Sequence, residues 1–111
     1  MPSLPGAQAV RVLEDLVDAC REERAAVETG RLDLLPGISA RRGMLLAELD
    51  VHLPPGTPVE GRVAELLEQA KEAVRVNLEL LSGLREELGR RLAEQDTLQR
   101  AAAGYETSRG Y

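Results

Sequence analysis

The stretch Val63-Ala-Glu-Leu-Leu-Glu-Gln-Ala70, Lys71-Glu-Ala-Val-Arg-Val-Asn-Leu-Glu-Leu80, Leu81-Ser-Gly-Leu-Arg-Glu-Glu-Leu88 decides the fold. Within it Val63, Leu67, Ala70, Val74, Asn77, Leu81, Leu84 and Leu88 alternate spacings of four and three, the seam of a helix that packs in coiled-coil fashion. Leu66, Ala73 and Leu80 form a parallel stripe beside it, which widens the apolar face enough to touch two neighbouring helices. Pro58 in the first turn and Glu60 close behind it are start signals. The pattern runs to about Ala102, so the spacing predicts a helix over 58–102 that is about 66 Å long. Asn77, alone among apolar seam positions, reads as a register-setting residue, with a hydrogen bond to a partner as the other reading. Gly83 and Gly89 serve either close helix approach or bending.

Outward from this element, all six prolines lie in the first 58 residues. Pro54-Pro55-Gly56-Thr57-Pro58 is a linker that no helix crosses. Before it, Leu35, Ile38, Leu45 and Leu49 with Leu46 make a second helical stripe, predicted over 32–51. Pro36 is tolerated in a first turn, where its missing N–H has no intrahelical partner, and Asp33 sits favourably near that N-terminus. The exact start around Pro36-Gly37 stays open. Earlier still, Val10, Leu13, Val17, Cys20 and Val27, widened by Leu16, mark an amphipathic helix over 6–29, closed by Gly30. Pro2 and Pro5 bracket a frayed start. Residues 104–111, with Gly104, Tyr105 and Tyr111, have no period and read as a flexible tail. The expected fold is all-α: an antiparallel bundle of two shorter helices on one long C-terminal helix, a single domain over residues 1–103 followed by the tail.

Composition agrees. Of 111 residues 43% are apolar and 30% charged, with neither Trp nor Phe, a mixture that suits Leu/Ala helix seams better than strands. Fourteen basic against nineteen acidic residues leave a net charge of −5, which gives no general attraction for nucleic acid or anionic lipid. No run reaches the roughly 18–20 apolar residues of a membrane helix, so membrane insertion is not expected. The first residues lack a basic stretch followed by an apolar one, so a soluble cytoplasmic protein is the expectation.

One Cys and one His exclude an internal disulfide and a Cys/His zinc cluster, leaving only carboxylate-based metal binding open. His52 has no nucleophile or acid–base partner in a motif around it, and Cys20 falls on an inner seam, where it acts as a small hydrophobe. The carboxylates of Glu14/Asp15/Asp18, Glu22/Glu23 and Glu86/Glu87 read as solvated helix faces, with no Glu-x-x-His pair to complete a di-metal site. No Gly-rich phosphate loop is present. No catalytic, cofactor-binding or metal-ligating residue is assigned, and the chain is read as non-enzymatic.

Lengths make the functional argument. Helices of about 36 and 30 Å cover only about the first half of one of about 66 Å. Beyond Leu84 the long helix still carries Leu88, Leu92 and Leu98 on one side. Acid-before-base pairs Glu86–Arg90, Glu87–Arg91 and Asp96–Arg100 support it as an isolated helix, each by about 0.2–0.5 kcal/mol. Such a face binds another copy of itself or an amphipathic helix of a different protein. The plain alternative is that Leu92 and Leu98 are scattered surface leucines on a frayed end.

Over roughly residues 10–111 the layout resembles the FlgN-like flagellar export chaperones. The resemblance runs through Leu16-Val-Asp-Ala-Cys-Arg-Glu-Glu23, Gly30-Arg-Leu-Asp33, Arg41-Arg-Gly-Met-Leu-Leu46, Asn77-Leu-Glu-Leu-Leu81 and a tail with Gly104-Tyr105 and Arg109-Gly110-Tyr111. Pro36-Gly37 departs from it, because the family has a smooth second helix there. The resemblance implies a cytoplasmic chaperone of flagellar type III export. Such a protein binds the C-terminal helical segments of hook-filament junction (hook-associated) proteins and delivers them to the export apparatus. It places the client on Leu84, Leu88, Leu92, Gln95 and Leu98, with Arg91 as a polar contact. A chaperone for another secretion substrate, such as the filament cap, is a neighbouring reading. A structural homo-oligomer in which two distal helices pair is an alternative of a different class.

Overall fold

A computed structural model describes residues 5–109, so the expected frayed start at residues 1–4 lies outside the described residues. Among them are three α-helices: α1 (Pro5–Glu28), α2 (Leu35–His52) and α3 (Gly61–Arg109). No strand occurs among the described residues. The chain divides into two units, residues 1–79 and residues 80–111, so α3 contributes to both.

The first unit is organised around α1, which is buried on two adjacent stripes. Val12, Leu16, Ala19, Glu23 and Ala26 form one, and Leu13, Val17 and Cys20 the other. Leu49 of α2 and Leu66 and Ala70 of α3 close the core against them, with Leu45, Leu67 and Val74 half-buried around it. Each fully buried Leu contributes about 1.5–3 kcal/mol relative to exposure.

Gly30 ends α1 as its position predicts. Its φ of 72° is left-handed, a conformation open to glycine without a Cβ penalty. Arg31 N–H donates to Ala26 O at 2.8 Å and Gly30 N–H to Val27 O at 3.2 Å, the paired closure of a Schellman end. A short 3₁₀ turn, Leu32–Leu34, leads into α2, where Pro36 occupies the first turn. α2 buries only Leu49, while Met44 and Val51 are 73% and 74% exposed.

The start of α3 differs from the sequence expectation. The helix begins at Gly61, not Pro58. Gly61 has φ 58°, and right-handed helix does not propagate back through a left-handed residue. Its end differs too: α3 runs to Arg109, so residues 104–109, expected as tail, are helical. Once nucleated, each added residue gains one backbone hydrogen bond, and Ala101, Ala102 and Ala103 are the best helix formers. The rest of the expected tail, residues 110–111, lies outside the described residues.

Glu23 overturns its reading as a solvated carboxylate. It is 1% exposed and accepts from Arg42 Nη1, from Ser39 Oγ at 2.9 Å and from Asn77 Nδ2 at 3.1 Å. Asn77 Nδ2 also donates to Cys20 O at 2.6 Å. One carboxylate therefore ties all three helices of this unit together, and Asn77 sets the register of α3 on α1. No buried side-chain nitrogen or oxygen among the described residues lacks a partner, the condition under which a buried polar network specifies an alignment.

Candidate partner-binding surface

The second unit presents the residues singled out from the sequence along one helix. Leu84, Leu88, Arg91, Gln95 and Leu98 keep the four-three spacing and so share one stripe, with Leu92 beside it. Leu84 is half-buried; Leu88 is 39%, Leu92 67% and Leu98 70% exposed. Every residue from Leu88 to Gly104 is exposed. Arg91 and Gln95 interrupt the apolar stripe and separate Leu84 and Leu88 from Leu98.

Local ion pairs hold the helix. Glu87 accepts from Arg91 Nε at 3.1 Å and pairs with Arg90 as well, and Asp96 lies 3.1 Å from Arg100. The expected Glu86–Arg90 pair is replaced by Glu87–Arg90, three residues apart rather than four. Among the described residues nothing lies within 4 Å of where a Cβ on Gly83 or Gly89 would stand. The side chains of Tyr105 and Tyr111 lie outside the described residues.

The chemically suggestive groups of the first unit do not converge. Cys20 is buried, and burial with the nearby Glu23 carboxylate pushes its thiol up, which Arg42 only partly opposes. A raised thiol is a poor nucleophile at neutral pH. His52 Nε2 lies 3.9 Å from Glu48 Oε1, beside Gln8, Arg11 and Asp15 in an open polar depression. Among the described residues no three His, Cys, Asp or Glu are grouped to hold a metal ion. No helix among them is long and apolar enough to cross a membrane.

Sequence reasoning missed one apolar surface. Leu46, read as broadening the inner stripe of the second helix, instead borders an open groove of about 330 Å³ with Leu49, Leu67, Ala70, Val74 and Leu78. The signal was present in α2, which carries apolar residues on more than one side. No protein-family model, curated protein or solved structure matches the chain.

Proposed function

We propose that this chain is a non-enzymatic, cytoplasmic chaperone of flagellar type III export. It captures the C-terminal helical segments of hook-associated proteins by laying them along the distal part of α3 and hands them to the export apparatus. The observation that supports this reading is the exposure of Leu88, Leu92 and Leu98 on one side of a helix that carries its own ion pairs. An amphipathic face of this kind takes another amphipathic helix laid along it. Leu84, Leu88, Leu92 and Leu98 supply the apolar contact, and Arg91 and Gln95 supply polar ones that fix the client's register. The resemblance to FlgN-like chaperones supplies the class of client.

Calorimetry with the C-terminal helical segment of a hook-associated protein tests it, with a filament-cap segment in parallel. Saturable binding to the former is expected. Leu88→Glu with Leu92→Glu removes two anchors that the client covers, so affinity falls by more than about 100-fold. The far-ultraviolet circular dichroism is unchanged, because both side chains are exposed. Unaltered affinity of the folded double variant rejects the assigned surface.

A further inference from the structure

The distal face carries its own complement. When a second copy is laid antiparallel so that Leu88 opposes Leu98 of that copy, Leu84 falls opposite Ala102 and Arg91 opposite Gln95. The twofold axis repeats each pairing in reverse. Long apolar meets short, leucine meets leucine, and a cation meets an amide. Leu92, beside the seam, approaches Leu92 of the second copy across the axis. On the other flank Glu94, which forms no ion pair among the described residues, meets Glu94 of the second copy, and the two Arg91 side chains alongside offset that repulsion.

Competing alignments are poorer. A parallel, in-register pair stacks Arg91 on Arg91, a like-charge contact at a seam position. Sliding the antiparallel pair by one heptad sets Leu88 on Arg91 in one direction and Leu98 on Gln95 in the other. Residues 80–111 carry five basic and five acidic side chains, so two such segments meet without net repulsion. We propose that a second copy of this chain covers the Leu84–Ala102 face in the free protein, as an antiparallel pair with Leu88 against Leu98. Self-pairing and client capture use the same leucines and exclude one another, but the pairing stands on this face alone and needs no client.

The test uses the full chain without any client, so its outcome is separate from that of client binding. Sedimentation equilibrium is expected to show a reversible monomer–dimer equilibrium. On mild oxidation, chains carrying Leu88→Cys cross-link with chains carrying Leu98→Cys, and neither variant cross-links with itself; Cys20 is buried and stays silent. Gln95→Glu places two new carboxylates opposite the Arg91 side chains and tightens the dimer by about three- to tenfold. A monomer at every concentration overturns the proposal. So does self-linking of Leu88→Cys, a dimer in which the mixture fails to link, or a dimer loosened by Gln95→Glu.

Discussion

Glu23 has the most consequence of any single side chain outside the apolar core. It is almost fully buried and accepts from Ser39, Arg42 and Asn77. Removing one partner of such a network leaves the others desolvated without compensation. Glu23→Ala is therefore expected to lower stability by about 2–4 kcal/mol in urea unfolding, and Glu23→Gln, which keeps an acceptor, by less. Asn77 was legible because a lone amide in an apolar seam has few other uses. Glu23 was not, although its spacing of three from Cys20 and seven from Leu16 places it on the buried face. Its charge, and its place beside Glu22, pointed to solvent. The neighbouring thiol adds a pH signature. Because Cys20 has a raised folded-state pKa, its contribution is fully present below the ordinary thiol value. That contribution is lost as pH rises from there through the raised value, since only the unfolded chain ionises first. Thermal unfolding of the wild type is expected to fall more steeply above about pH 9 than that of Cys20→Ala.

At the scale of elements, both ends of α1 and the C-terminal end of α2 could be read because glycine and proline act locally, whereas the start of α2, left open around Pro36-Gly37, falls at Leu35. Gly30 closes one helix and Pro36 opens the next by constraints on φ and on one N–H. The start of α3 was misread because Pro58 and Glu60 are start signals of the right type, while the left-handed φ of Gly61 carries no sequence mark of its own. Its end at Arg109 was misread because a glycine costs a helix only about 1 kcal/mol. The same magnitude gives a test. Gly89 lies within α3 with open space around it, so Gly89→Ala is expected to stabilise the distal helix by about 0.5–1 kcal/mol. Circular dichroism melting of the two proteins measures it.

For the whole molecule, charge is partitioned along the chain. Five basic and five acidic residues lie in residues 80–111, so the net charge of −5 falls on residues 1–79. Contacts made through the distal leucines are then apolar and weakly screened. Raising sodium chloride tenfold is expected to change their affinity, read by calorimetry, by less than about threefold. A docking site built on the acidic first unit would respond more strongly. The all-α architecture was legible throughout, since a period of 3.5 over so many turns leaves strands no alternative. The groove at Leu46 and Leu78 was signalled only by the apolar residues on more than one side of α2, because no pattern within one helix reports the shape of the gap left between two.

Residues Leu88 to Gly104 are exposed throughout, and they lie within one continuous α-helix. Amides in such a stretch open without disturbing any packed layer, so they take up deuterium first and offer trypsin its earliest cuts, after Arg90, Arg91 and Arg100. Whatever settles on this segment must slow both processes there while leaving α1 unchanged. The helix thereby reports its own occupancy, with no label attached.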